Sequence, residues 1–294
     1  MKIRQNFSYF FIFFFLLSLS FDSYSQKKPR KERKTRKNQR YKKSILDNLP
    51  TFFVDDSRFP NYLKQIYKRD AARMSIRLLN DELRVSKQTI QIPEELVQAI
   101  YNAMVAVRTS DYGAVDTMAN QYYVRTFPIP NVEKIVLVAE HDASWLAPLK
   151  QRQDTTGDPQ INRIIREHNL ILTKLVHLDE ERVALVLQSR EPINVPALMM
   201  RFFISEGIGS IEEVLPYGDG NDISIQRTKK GWDLVYSLKF GNCSLQCQKY
   251  RSWSYSIEED GSVSYNGTSG HTIAPWITKG HEGQKYPDVL AKGK

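Results

Sequence analysis

Cysteine is nearly absent from this chain: two in 294 residues, Cys243 and Cys247. A structural zinc site takes four ligands. The C-x-x-x-C spacing supplies two, and the next histidine along the chain is His271. A thiol–disulfide redox pair is usually C-x-x-C. Also missing are G-x-S-x-G and H-E-x-x-H, the signatures of a strained nucleophile elbow and of a two-histidine zinc helix. The sequence therefore names no catalytic residue, no metal ligand and no cofactor-binding residue. Long apolar runs are scarce too. The longest, Phe7 to Phe21 with "FFIFFFLL" at its centre, falls short of the ~18 residues expected of a spanning helix.

That run has a different meaning in context. Lys2 and Arg4 precede it, and "DSYSQ" follows, with small residues at Ser23 and Ser25. This is the layout of a secretory signal peptide, cleaved after Ser25. The expected location is secreted or periplasmic, with no membrane-spanning segment left after cleavage. Outside the cytosol thiols oxidise and persist as disulfides, so the leading reading of Cys243 and Cys247 is a bond between them. On a straight strand their Cα atoms would stand ~13 Å apart. A disulfide needs them within about 7 Å, so the chain from Gly241 to Lys249 should turn back on itself. Metal and redox roles stay open as the lesser alternatives.

Charge is concentrated in one place. The chain carries +9 overall, and "KKPRKERKTRKNQRYKK", Lys27 to Lys43, holds eleven Lys or Arg against one Glu, a charge of +10. Residues from Ser44 onward sum to −2. Blocks of like charge repel, stay unfolded and often act as tails. Residues 26–43 read as a disordered basic arm, a solvated tether or a contact for an anionic envelope component. Tyr41 is its one aromatic, which gives little support to stacking on nucleic-acid bases.

The body divides by pattern. Leu63, Ile66, Tyr67, Ala71, Met74 and Leu78 fall at helical spacing, as do Leu96, Val97, Ile100, Tyr101, Met104 and Val105. Pro60 and Pro93 suit helix starts. Residues 44–126 thus read as a helical region, closed by a linker at "FPIPN". Over 127–217 the pattern is strand (Val132 to Glu140), helix (Asp158 cap, Pro159 in the first turn), strand (Leu170 to His177), strand (Val183 to Ser189), helix (from Asn194) and strand. That β-α-β-β-α-β order predicts a ferredoxin-like unit. Over 218–270 the pattern changes to period two. Trp232, Leu234, Tyr236, Leu238 and Phe240 share one face, as do Arg251, Trp253, Tyr255 and Ile257. This predicts an antiparallel β-meander, with the cysteine loop joining two of its strands. The fold class is α+β, and 271–294 reads as an irregular tail.

The segments "TFPIPNVEKIVLVAE", "TTGDPQINRIIREHNL", "GDGNDI", "GW" and C…C followed by W-x-Y-x-I-x-x-DG-x-V give a resemblance. Over roughly Pro60 to Gly270 the chain resembles a family of secreted bacterial proteins of uncharacterised function. The likeness implies secretion and a disulfide, and no activity. In pattern alone, the β-α-β-β-α-β part also resembles propeptide-like modules of secreted proteases.

Other candidate motifs fail on inspection. "GDGNDISI" has Tyr217 where a calcium nonapeptide repeat needs glycine and occurs once, where a stacked array is required. Asp219, Asn221 and Asp222 read as turn residues. His141, Asp142 and Ser144 are triad residue types too close in sequence to converge from separate parts of a fold. Asp179 and Glu180 read as a hairpin turn. The functional expectation is a non-enzymatic binding or envelope-associated module. The alternatives are a secreted enzyme with a site built from scattered residues, or a polyanion binder acting through the arm.

Overall fold

The computed structural model describes residues 46–83, 89–151, 155–203, 205, 207–214 and 216–277. The signal peptide expected over 1–25, the arm over 26–43 and the tail beyond 277 lie outside the described residues. The fold is α+β, with helices and two antiparallel four-stranded sheets. Among the described residues no helix is long and apolar enough to cross a membrane.

Helices α1 (Asn61–Leu83) and α2 (Glu94–Thr109) come first, packed on each other. Glu94 and Glu95 sit in the first turn of α2 and Arg108 in the last, charges that suit the helix dipole. A single turn, α3 (Gly113–Val115), runs on as a π-helix, Asp116–Gln121. Strand β1 (Lys134–Glu140) follows, then a short 3-10 turn and α4 (Ala147–Lys150). Helix α5 (Pro159–Glu167) is capped by Asp158, whose carboxylate accepts from the N–H groups of Gln160 and Ile161. Such a cap is worth about 1 kcal/mol. Then come β2 (Leu170–His177), β3 (Arg182–Ser189), α6 (Val195–Phe202) and β4 (Ile208–Glu213). These four strands form one sheet in the order β2-β3-β1-β4. Ile135, Leu137, Val183, Leu185 and Leu187 of the sheet bury against Ile161 and Ile164 of α5 and Val195, Leu198 and Phe202 of α6.

The last four strands, β5 (Asp222–Arg227), β6 (Gly231–Phe240), β7 (Lys249–Glu258) and β8 (Val263–Gly270), pair in sequence order. All five alternate residues from Trp232 to Phe240 are buried, with Trp253, Tyr255 and Ile257 of the neighbouring strand. Their partners are the first two helices. Leu63, Tyr67, Ala71 and Met74 of α1 and Leu96, Ile100, Met104 and Val107 of α2 belong to the same core as the meander. Segments read separately along the chain, 44–126 and 218–270, share one interior. Asp222 is a correction: read as a turn residue, it opens β5, a strand hidden in the sequence by the turn-forming residues before it.

One polar cluster lies inside this core. Asp70 is buried, accepts from the Thr126 hydroxyl at 2.5 Å and pairs with Arg73 at 3.2 Å. Burial pushes its carboxyl up, while Arg125 and the Thr126 hydrogen bond pull the other way. The Arg125 guanidinium stands 4.8 Å from the centre of the Tyr67 ring.

A second tie runs across the molecule through Arg77 of α1. Its guanidinium donates to Asp222 Oδ1 at 2.8 Å, to the Phe127 carbonyl at 2.7 Å and to the Ile129 carbonyl at 2.7 and 2.9 Å. The Phe127 N–H donates to the same Asp222 oxygen at 2.8 Å. On another flank of α1, Ala72 and Ile76 bury against Val132, which leads into β1.

Candidate functional site

The chain before α1 is extended, and successive residues point to opposite sides. Over 51–57 the burial alternates: Phe52, Val54 and Asp56 are part-buried, while Phe53, Asp55 and Ser57 are exposed. The inward residues are pinned. Asn102 donates to the Phe52 carbonyl at 2.8 Å, and Asp56 accepts from Lys64 at 2.8 Å and from Tyr101 at 2.5 Å. Phe52 lies so close to Gly261 that a Cβ there would meet its ring at 2.7 Å. Gly261 also has φ +86°, in the left-handed region that glycine tolerates. The β7–β8 turn thus needs glycine on two counts.

Pinning one side of the segment presents the other. Phe53 is 92% exposed at the rim of a groove of about 870 Å³. Its walls are Asp55 and Arg58 from this segment, Arg108, Ser110, Asp111 and Tyr112 from the end of α2, and Gly261 with Val263 from the meander. Tyr112 is fixed by its hydroxyl, which donates to the Val263 carbonyl at 3.1 Å, and by the Tyr265 ring at 5.6 Å. The Thr109 and Ser110 hydroxyls donate back to α2 carbonyls, those of Val105 and Val107. The lining holds two aspartates and two arginines, so its formal charge balances.

Hydrogen bonds shift three titrating groups of this segment and its neighbours. The Ser57 hydroxyl and N–H hold the Asp55 carboxyl below its usual range, with Arg58 adding to the effect. Hydrogen bonds from Lys64 and Tyr101 do the same for Asp56. Burial, and donation to that carboxylate, push the Tyr101 phenol well up. Arg108 is 5% exposed; it donates to Asn120, and its Nε and Nη1 have no partner among the described residues.

The residues singled out in the sequence fall elsewhere. Cys243 and Cys247, between β6 and β7, lie at disulfide distance: S–S 2.12 Å, Cα–Cα 4.1 Å. The loop is braced by Asp219, whose N–H donates to the Cys243 carbonyl at 2.8 Å and whose carboxylate accepts from the Cys247 N–H at 3.1 Å and from Lys239 at 2.8 Å. Asn221 accepts from the Lys239 N–H at 2.9 Å. The "GDGND" stretch is therefore a brace for the cysteine loop and, through Asp222, for α1. His141 sits at the end of β1 with its ring 5.3 Å from that of His177 and its carbonyl bonded by Lys150. Ser144 opens the following 3-10 turn. Asp179 accepts from the Glu181 and Arg182 N–H groups in the β2–β3 turn. Among the described residues no group of three or more His, Cys, Asp or Glu is placed to hold a metal ion.

The cysteine pair carries an expected result. The thiols are bonded in the mature protein, and exchanging both for serine lowers stability by about 2 kcal/mol or less, because the closed ring is short. Mass spectrometry of the unreduced protein checks the bond, and two alkylatable thiols would contradict it. The groove residues Phe53, Asp55, Arg58, Arg108 and Tyr112 carry no motif, because they meet only when residues near 55, 110 and 262 fold together. Comparison with protein-family models, with curated proteins and with solved structures yields no match.

Proposed function

We propose that the protein is a secreted, non-enzymatic binding module of the cell envelope, and that its groove beside Phe53 takes a glycan chain. The observation that carries this reading is the groove lining, where the exposed Phe53 ring and Tyr112 stand beside Asp55 and Arg58. General acid–base catalysis wants a group whose proton moves near the working pH. In the lining, Ser57 hydrogen bonds hold the Asp55 carboxyl below its usual range, and the Thr109 and Ser110 hydroxyls are committed to helix carbonyls. What remains suits recognition. Phe53 and Tyr112 offer flat apolar ring faces to sugar C–H groups. Asp55 and Arg58 offer an acceptor and planar donors to hydroxyls.

The same reading takes 127–217 as a ferredoxin-like unit, which the β-α-β-β-α-β order and the β2-β3-β1-β4 sheet support. That fold serves many unrelated tasks and names no activity. The expected signal peptide over 1–25 and the resemblance to secreted bacterial proteins, both read from the sequence, favour export, and the cysteine pair at disulfide distance fits an oxidising compartment.

The test is co-sedimentation of the chain from Gln26 onward with purified bacterial cell-wall sacculi. Binding is expected to vary little with salt, because the groove lining is charge-balanced. The double variant Phe53→Ala, Arg58→Gln should weaken it about tenfold or more, the loss typical of a contact centre. Binding that falls steeply with salt and disappears when residues 26–43 are removed would move recognition to the arm. Release of soluble sugar or peptide fragments would make the protein an enzyme.

A further inference from the structure

Eight strands are described, and seven carry charged side chains. On the first sheet these include Lys134, Lys174, Arg182 and Glu212; on the second they include Asp222, Asp233 and Arg251. The exception is β8, "VSYNGTSG", which also lacks proline and lies at an edge of its sheet. Edge strands present a row of N–H and C=O groups that can pair with another chain, and native proteins usually blunt them with charge or proline. Among the described residues no strand pairs with the outer side of β8; the Tyr112 hydroxyl bonds the Val263 carbonyl at its start. The edges of the other sheet, β2 and β4, do carry charge: Lys174 on one, Glu212 and Glu213 on the other.

We propose that β8 is the contact strand of a homodimer, pairing antiparallel with β8 of a second copy across a two-fold axis. A second copy is the partner we take, and the absence of charge in β8 fits it. In two-fold pairing, any charge near the axis meets its own copy, and like charges directly opposite destabilise a sheet. β8 carries no charge to oppose its own copy at the strand centre. The bulge beside Ser254 and Tyr255 completes the arrangement. It places both Ser264 and Ser269 on the face away from the core, beside Ser256 and Ser252. With the axis at the strand centre, Ser264 of one copy faces Ser269 of the other. The paired strands alone would bury less than a standard interface, about 1,200–2,000 Å². Trp276, an exposed ring six residues past Gly270, supplies further apolar surface. Val263 lines the groove, so pairing also sets two grooves at opposite ends of the joined strands, a spacing suited to a repeating polymer.

Sedimentation of the chain from Gln26 onward across a range of concentrations tests this without any ligand, so its outcome is separate from that of the groove. The expected result is a reversible dimer. The double variant Ser264→Lys, Ser269→Lys should weaken association about tenfold or more, because two like-charged pairs face each other. The double variant Ser264→Lys, Ser269→Glu should restore it, since each Lys then faces a Glu. Both sites are exposed, and circular dichroism checks that each variant folds. A chain that stays monomeric at every concentration would overturn the proposal, as would a dimer that both variants leave unchanged. Loss of the dimer in both would overturn the antiparallel pairing.

Discussion

Replacing Trp232 by Ala lowers the unfolding free energy by about 3–5 kcal/mol, the cost of deleting a large buried ring. The chain then unfolds at lower denaturant with helices and meander lost together. Trp232 is fully buried and opens the aromatic row of β6. It lies opposite Ile257 of β7 and Arg227 of β5 in the strand registers, and the Arg227 guanidinium stands 4.9 Å from its ring. Collapse into the space would have to move three strands, so little of the cavity should heal. The row packs against Tyr67 and Met74 of α1 and Ile100 and Met104 of α2 in a single core. That is why one transition is expected. Denaturant melts followed by far-ultraviolet circular dichroism separate the outcomes. Helices that persist after the sheet has melted would show that 44–126 and 218–270 fold independently.

Arg77→Met has the next largest expected effect, about 2–4 kcal/mol. Hydrogen bonds to charged groups are worth about 1.5–3 kcal/mol, and this guanidinium serves Asp222 and the carbonyls of Phe127 and Ile129 at once. The Arg77–Asp222 pair is about a quarter exposed on each side, which keeps the figure well below the sum of its bonds. Arg77→Lys should recover little, because a single ammonium cannot reproduce a planar fork aimed at three acceptors. Hydrogen exchange at the Phe127 amide, which donates to the same carboxylate, should speed up in both variants. Full stability in the Lys variant would mean that charge alone holds the junction.

Much of the fold can be read in the sequence wherever one element's period carries the information. Alternation from Trp232 to Phe240 marks β6, and Asp158 with Pro159 marks the start of α5. The limits of β2 follow from its apolar run. What could not be read depends on partners. The stripe from Leu63 to Met74 reveals a buried face, while the row of β6 and β7 aromatics that it meets lies more than 150 residues on. Strand β5 is short and follows Gly218, Gly220 and Asn221, so its two isoleucines look like part of a turn. Arg108 reads as a basic residue closing a helix. Only the fold shows it buried, with Asn120 from the π-helix as its acceptor. The groove joins three stretches of chain, and no local pattern in any of them announces it.

Hydrogen exchange of the protein with and without a bound cell-wall glycan fragment addresses the groove most directly. The expected result is slowed exchange confined to residues 52–59 and 108–113 and the β7–β8 turn, with the glycan recovered intact. Protection confined to other surfaces, or a glycan recovered in pieces, would contradict a binding module that acts through this groove.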